Sequence, residues 1–430
     1  MNHSYQRHIE EYLRLLLADL PAVAVEGLKG IGKTVSCARL SASVFQLDRD
    51  LDRVKVANNP DMLTTVPAPV LIDEWQKVPS VWEFVRRQVD NGTPPGTYLL
   101  TGSIANSNVD IHSGAGRILR VRMRPLSLVE RGLMKPTVSL KAFFDSLKPF
   151  SVPVQGETGM SYSGYMTEIV SSGLPGIRAL PEHRRRQMLD SYLDNLLAHE
   201  FHQQGIRVRQ PQTMLRWLRA YASASATDAG YTEILDASTA GEHDKPALRT
   251  TAAYREALGN IWLLDEVPAW TAGEDYHARL KKTPRHFLAD PALAAALLDI
   301  DLDMLTKPGD TNATIGKFDA KNGGIIGRLF ESLMQQSMAT YAQVNDAKLA
   351  YLRTQNGDHE VDFIVQRGHK VIAAEVKLSP VVEDRDVRHL LWLHGLLGER
   401  LADAMLIYAG KLAYRRKDGI AVVPAALLGP

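Results

Sequence analysis

The chain has 430 residues, 45% hydrophobic and 23% charged, a balance that fills several cores and excludes a largely disordered protein. At roughly 100–200 residues per domain, this length predicts two to four domains. Fifty Lys and Arg against forty-nine Asp and Glu leave a formal charge of +1, which excludes a global basic field and confines any nucleic-acid contact to local patches.

Ile9, Tyr12, Leu13, Leu16 and Leu17 recur at helical spacing and predict an amphipathic helix over residues 5–18, ended by Pro21. Glu10, Glu11 and Asp19 break its apolar character, so it does not read as a secretory signal. No run elsewhere approaches the roughly 18–20 uncharged apolar residues of a membrane span. A single cysteine, Cys37, excludes an internal disulfide framework. Together these features predict a soluble cytoplasmic protein with no membrane partner.

Ala22 to Glu26 is a short apolar run, predicted as a buried strand. Gly27-Leu28-Lys29-Gly30-Ile31-Gly32-Lys33-Thr34 follows directly, and then a helix-compatible stretch from Val35 to Leu40. This is G-x-x-x-x-G-K-[ST] between a strand and a helix, the context its mechanism requires. Gly27, Gly30 and Gly32 let backbone N–H groups curl around phosphate oxygens. Lys33 is placed to reach the β- and γ-phosphates of ATP, and the Thr34 hydroxyl to ligate Mg²⁺. About forty residues on, Pro69 to Glu74 is a strand ending in two carboxylates. Asp73 is expected to hold the Mg²⁺ shell, and Glu74 to polarise the attacking water as general base. A third strand, Thr97 to Leu100, ends in Thr101-Gly102-Ser103, whose polar side chains suit the γ-phosphate end of the site. Arg120, Arg122 and Arg124 alternate on one face of a further strand, either a basic surface or a solvated edge. Arg117, set apart by Gly114 and Gly116, is the better candidate for an arginine that stabilises charge on a neighbouring subunit's nucleotide.

On GLKGIGKT at 27, VLIDEWQKVPSVWEFVRRQVD at 70, YLLTGSIAN at 98 and GAGRILRVRMRPLSLVE at 114, residues 21–128 resemble the ATPase domain of a large bacterial and archaeal AAA+ family. That family joins an N-terminal AAA domain to a C-terminal domain of unknown function ending in a nuclease-like fold. The resemblance implies Lys33 and Thr34 on phosphate and Mg²⁺, Asp73 and Glu74 as the Walker B acids, Ser103 as sensor and Arg117 as a trans-acting arginine. The family more often has Pro-Arg where this chain has Leu28-Lys29.

Residues 133–165 carry several Pro, Ser, Gly and Lys with weak periodicity and read as a linker or lid segment. Residues 166–310 are mainly helical in pattern, with apolar stripes at Met188 to Leu197, Met214 to Tyr221 and Ala247 to Leu264. Helices followed by an extended Trp262 to Pro268 are compatible with a winged helix. The run Arg184-Arg185-Arg186 reads as a solvated face. Arg279, Lys281, Lys282, Arg285 and His286 form the densest basic cluster, either a solvated loop or a contact for nucleic-acid phosphates. Tyr192 to Leu197, Trp262-Leu263-Leu264 and Arg285 to Asp290 also resemble the family's second domain.

Gly327 begins a helix whose Leu329, Phe330, Leu333 and Met334 face a core, and three strand-like runs follow at 349–354, 360–366 and 370–378. A two-residue Gly368-His369 turn would pair Arg367 with Lys370. Counting back sets Asp362 opposite Glu375 on one face, with Lys377 two residues further on. Paired carboxylates need a compensating cation or a shared proton, so Glu331, Asp362, Glu375 and Lys377 form a candidate divalent-metal site. The arrangement resembles the restriction-endonuclease-like PD-(D/E)XK fold, with Val361 where the motif has proline. An active nuclease, an inactive or DNA-binding scaffold and an unrelated hairpin all stand as readings.

The expected fold is α/β: a P-loop AAA+ domain over 1–132, a helical winged-helix-like domain over 166–310, and an α+β restriction-endonuclease-like domain over 311–430. The expected activity is ATP hydrolysis with ATP and Mg²⁺ as cofactors. The expected assembly is a ring, a hexamer, since a trans-acting Arg117 needs a neighbour. DNA remodelling, a nucleotide-gated protein-binding switch and a metal-dependent nuclease are the candidate roles, with DNA or a protein as partner.

Overall fold

The computed structural model describes residues 5–103, 114–200, 211–239, 248–272, 282–306, 324–354 and 356–430. Arg279 and Lys281 of the basic cluster, and residues 311–323, lie outside the described residues. The amphipathic N-terminal helix is His8–Asp19. Five strands follow: β1 (Ala22–Glu26), β2 (Ser43–Gln46), β3 (Val70–Asp73), β4 (Tyr98–Gly102) and β5 (Leu119–Arg122). They form one parallel sheet in the order β2-β3-β4-β1-β5.

Crossover helices cover both faces of a parallel sheet, so the central strands read as continuous apolar runs. In β1 the side chains divide by alternation: Val23 and Val25 enter one core with Leu71, Leu99 and Leu13, while Ala22 and Ala24 enter a second with Val70, Ile72 and Leu100. The second core also takes in Trp82 of the helix Ser80–Asp90, whose ring lies 4.6 Å from that of Trp75. Parallel register puts Glu26, Asp73 and Gly102 at the same edge of the sheet, where ligands bind in open α/β sheets. Strand β4 lies between β1 and β3, so its Thr101, opposite Val25, stands between the loop after β1 and the acids after β3.

Residues 162–306 are mainly helical, with Tyr162–Val170, Glu182–Asn195, Pro211–Ser223, Tyr231–Ser238, Leu248–Asn260 and Pro291–Leu297 as the longer elements. Two extended segments meet among them through the bridges Leu264↔Leu288 and Val267↔Arg285. The basic run is partly engaged within the protein. Arg185 bonds Leu180 O at 3.0 Å and Ser171 Oγ at 2.9 Å, and Arg186 pairs with Asp190 and Asp299.

Residues 133–165 are not a free lid. They carry β6 (Val138–Ser139), the helix Leu140–Asp145 and β7 (Gly156–Glu157). The long helix Gly324–Gln343 then leads into β8 (Lys348–Arg353), β9 (Glu360–Arg367), β10 (Lys370–Lys377), the helix Arg388–Leu397, β11 (Leu401–Tyr408), β12 (Leu412–Arg415), β13 (Ala421–Pro424) and β14 (Leu428–Gly429). The main sheet has the order β7-β12-β13-β11-β10-β9-β8, and β6 pairs with β14. Strands β8, β9 and β10 form an antiparallel meander, while β11 runs parallel to β10. The 133–165 segment is thus part of the C-terminal unit, with the Lys370 ammonium also held by Phe144 O at 2.7 Å and Ser146 O at 2.9 Å. The helix Gly324–Gln343 is buried along most of its length because it meets all three units. Ser337 Oγ accepts from Leu128 N at 3.0 Å, Gln336 Nε2 donates to Ala289 O at 3.3 Å, and Gln343 Nε2 to Arg122 O at 2.7 Å.

Candidate active site

Gly27 ends β1 where the backbone passes Met123 so closely that a Cβ would lie 2.3 Å from Met123 O. Any side chain there would force the loop away from the sheet. Gly32, at φ +94°, turns the chain into the helix Lys33–Ala38, a left-handed conformation costly for other residues. Lys33 is buried, its ammonium donating to Gly27 O at 2.8 Å and Leu28 O at 3.0 Å. Thr34 Oγ1 donates to Asp73 Oδ1 at 2.8 Å. The groups proposed for phosphate and Mg²⁺ therefore converge at one edge of the sheet.

Thr101 ties the two acids together: its hydroxyl donates to Asp73 and accepts from Glu74 N at 3.2 Å. Ser103 Oγ lies 3.3 Å from Glu74 Oε2, and Gln76 Nε2 also donates to that carboxylate. Glu74 itself has φ 54° and ψ 48°, a strained backbone for a residue with a Cβ and of the kind that clusters at functional sites. Thr101 was within reach of sequence reasoning as part of Thr101-Gly102-Ser103, but its bonds to both acids depend on β4 lying between β1 and β3.

Three residues outside the motif support the loop. Arg7, buried at the start of the first helix, donates to Ile31 O at 2.8 Å and pairs with Glu130 at 3.2 Å. Tyr192, from the helix Glu182–Asn195, donates to Lys29 O at 2.9 Å. Glu26, the last residue of β1, is buried, and burial pushes its pKa up to about 7 against the pull of Arg120 and Lys33. Only the fold brings Arg7 and Tyr192 to the loop, and no local pattern announces them; Glu26 adjoins the loop in sequence, and the fold decides only that it is buried.

Arg117 precedes β5, at the opposite end of the sheet from the loop, where its Nε donates to Asp90 at 2.8 Å. It cannot serve the nucleotide of its own chain. Of the alternating arginines after it, Arg120 stays exposed on the edge strand, while Arg122 and Arg124 are taken up by an internal partner and form no open basic face. Arg120 lies over the Trp82 ring at 4.8 Å, while Arg122 and Arg124 both pair with Asp265 at 2.8 Å. Burial raises the pKa of Asp265, but the two guanidiniums overcome it and hold the carboxyl at about 2.

The second candidate site lies between the helical and C-terminal units. Arg367 pairs with Lys370 as the two-residue turn predicts, and the register continues to Phe363 opposite Ala374. Asp362 Oδ2 accepts from Val376 N at 2.8 Å, and Lys377 Nζ stands 3.9 Å from Glu375 Oε2. Arg285 corrects the reading of the basic cluster. It and His286 are buried, so neither a solvated loop nor a phosphate-binding face describes them. Arg285 Nη1 donates to Glu331 Oε1 at 2.7 Å and to Asp362 Oδ1 at 3.0 Å, and Nη2 donates to Glu360. Burial and the neighbouring Asp362 push Glu331 and Glu375 upward. Burial acts the same way on Asp362, but Arg285, Lys377 and the Val376 N–H outweigh it and its pKa is lowered. With a guanidinium among the carboxylates, the residues as arranged do not fit a divalent ion. Among the described residues no group of three or more His, Cys, Asp or Glu is placed to hold a metal.

Three family profiles match successive parts of the chain: an AAA domain over residues 19–131, a domain of unknown function (DUF8612) over 163–303, and a domain of unknown function (DUF4143) over 326–428. The uncharacterized proteins Rv2008c of Mycobacterium tuberculosis and Mb2031c of Mycobacterium bovis are each 22% identical over 423 residues, covering 96% of this chain and 82% of theirs. Among solved structures, the Walker-type ATPase PABY2304 of Pyrococcus abyssi is 15% identical with a TM-score of 0.38, covering 68% of this chain and 96% of its own. The Aeropyrum pernix ORC2 protein is 14% identical with a TM-score of 0.32, covering 79% and 97%. Among the described residues no helix is long and apolar enough to cross a membrane. The loop, its two acids and the matching profile agree: residues 19–131 form an AAA-type ATPase domain.

Proposed function

We propose that this protein is a nucleotide-gated switch, in which the state of the ATPase domain sets how the helical and C-terminal units are held. The observation that carries the reading is the grip of Arg122 and Arg124 on Asp265. Both arginines leave the edge strand of the ATPase sheet, and Asp265 begins the extended segment that pairs with Arg285. Bound ATP would be held by the loop N–H groups and Lys33, with Mg²⁺ between Thr34 and Asp73 to neutralise phosphate charge. Glu74, positioned by Thr101, Ser103 and Gln76, would take the proton of the attacking water.

A second reading, DNA remodelling by a ring-shaped motor, rests on the C-terminal unit. Its helix, three-strand meander, helix and parallel strand follow the element order of restriction-endonuclease-like folds, and the three helices before the bridged pair resemble a winged helix. Arg117, remote from its own loop, suits action on a neighbouring chain's nucleotide. The discriminating experiment is steady-state ATP hydrolysis with and without single-stranded, duplex and four-way-junction DNA, over a range of protein concentrations. A slow rate indifferent to DNA, with hydrogen exchange at residues 282–290 that differs between ADP and a non-hydrolysable ATP analogue, supports the switch. Stimulation by one DNA form, with no nucleotide effect on that exchange, transfers the function to the motor.

A further inference from the structure

A phosphate loop binds largely through backbone N–H groups, so its grip depends on which way each peptide faces. In a trans peptide the C=O and the following N–H point in opposite directions. A donor that fixes a carbonyl on one side of the loop therefore aims an N–H at the other. Two side chains from outside the motif do this. Tyr192 Oη donates to Lys29 O at 2.9 Å, and Arg7 Nη1 donates to Ile31 O at 2.8 Å. The peptides so held carry the N–H groups of Gly30 and Gly32, and among the described residues neither N–H donates to a protein oxygen.

Both glycines lie beside these side chains. A Cβ on Gly30 would stand 4.0 Å from Tyr192 Cε2, and one on Gly32 would stand 3.8 Å from Arg7 Nη1. Gly30, at φ 80°, has the backbone freedom of glycine, so the peptide before it turns over unless something holds it. Lys33 bonds different carbonyls, those of Gly27 and Leu28, and its ammonium is itself needed on the phosphates. A hydrogen bond to a carbonyl also polarises its peptide and strengthens the N–H as a donor. The two holds differ in origin. Arg7 is buried and pairs with Glu130 inside the ATPase domain, whereas Tyr192 is half-buried and comes from the helix Glu182–Asn195 of the helical unit.

We infer that Tyr192 is a positioning residue for nucleotide binding: its hydroxyl holds the Lys29 carbonyl so that the Gly30 N–H faces the phosphates, and tight phosphate binding requires the helical unit to be docked on the loop. This role rests on the ATPase domain alone, and it stands whether or not nucleotide sets how the C-terminal unit is held.

Lys29-Gly30 is the one Lys-Gly pair in the sequence, so carbonyl-¹³C lysine combined with ¹⁵N glycine yields a single nuclear magnetic resonance signal from the full-length protein, at the peptide in question. The test follows that signal, together with the binding of ATP and of inorganic tripolyphosphate in the presence of Mg²⁺, in wild type and Tyr192→Phe. The substitution keeps the ring beside Gly30 and removes only the hydroxyl. It is expected to shift the Gly30 signal in the nucleotide-free protein and to weaken ATP and tripolyphosphate alike by about 3–10-fold. Turnover at saturating ATP should stay within about twofold of wild type, since the lost contact serves ground state and transition state equally. Unchanged tripolyphosphate binding overturns the inference: if ATP alone weakens, Tyr192 serves the nucleoside, and if neither weakens, the hydroxyl has no part in binding. Weaker binding with no shift at Gly30 overturns it as well, because the loss would then not pass through that peptide. A fall in turnover with binding unchanged does the same. So does a wild type that binds ATP but not tripolyphosphate, because the loop would then not hold phosphates by itself.

Discussion

Asp265 joins the helical unit to the ATPase domain through Arg122 and Arg124, and replacing it by asparagine tests this contact directly. The carboxyl is held down from an ordinary 3.8 to about 2, which at about 1.4 kcal/mol per pH unit makes the charged form about 2–3 kcal/mol more favourable in the fold than in the open chain. Asparagine removes that stabilisation and leaves two partly buried guanidiniums facing a neutral amide. Burial, together with the neighbouring Arg124 charge, already lowers Arg122 to about 10 against the pull of Asp265. Breaking a buried ion pair from one side costs about 3–5 kcal/mol. Asp265→Asn should therefore lower the urea midpoint at pH 7 by about 1–2 M. Arg122 lies 4.8 Å over the Trp262 ring, so tryptophan emission follows this contact. The depressed pKa makes the stabilisation complete above pH 4 and lost as pH falls toward 2, so the gap between wild type and variant should narrow over that window. An unchanged midpoint at pH 7, or a gap that persists undiminished at pH 2, would refute the reasoning.

Three further outcomes are expected. Glu74→Gln should bind ATP in equilibrium dialysis yet lose about 10²–10⁴-fold in turnover, and normal turnover would remove Glu74 from the role of base. Thr101→Val keeps the side-chain shape but loses the hydroxyl that joins Asp73 and Glu74, so hydrolysis should fall about 10–100-fold with ATP binding retained. Glu26 has a pKa raised from 4.5 to about 7, so the folded state holds its proton longer and the carboxylate's cost in stability grows as pH rises from 4.5 to 7. Glu26→Gln should therefore raise stability by up to about 3 kcal/mol at pH 8 and leave it nearly unchanged at pH 4. A gain of the same size at both pH values in urea denaturation would show that ionisation of Glu26 is not the cause.

Much of the ATPase domain was legible because its signals are local. The strand, glycine loop and helix from Ala22 to Leu40 are contiguous, and phosphate binding by backbone N–H groups needs only a short run of correct residues. The β9–β10 hairpin was legible for a similar reason: a two-residue turn sets the register, so counting places Asp362 by Glu375. The Pro- and Ser-rich stretch at 133–165 misleads because its short strands β6 and β7 have no periodicity of their own and exist only through pairing with β14 and β12. Basic residues misled most. Arg122, Arg124, Arg285 and His286 look like surface charge in a linear reading, yet the three arginines are engaged in contacts between units and His286 is buried within the helical unit against Ala229 O.

The sequence by itself determined the nucleotide loop, its two acids and the alternation of buried strands, all of which follow from neighbours within a few residues or from one tight turn. Only the tertiary structure decided which charges meet. A buried charge requires a partner, and that partner can come from any distance along the chain. Arg7 reaches Ile31 O, Asp265 takes Arg122 of β5 and Arg124 just beyond it, and Arg285 bonds three carboxylates 46 to 77 residues away. Spacing along a chain carries no trace of such meetings, because long-range ion pairing is set by how the units pack.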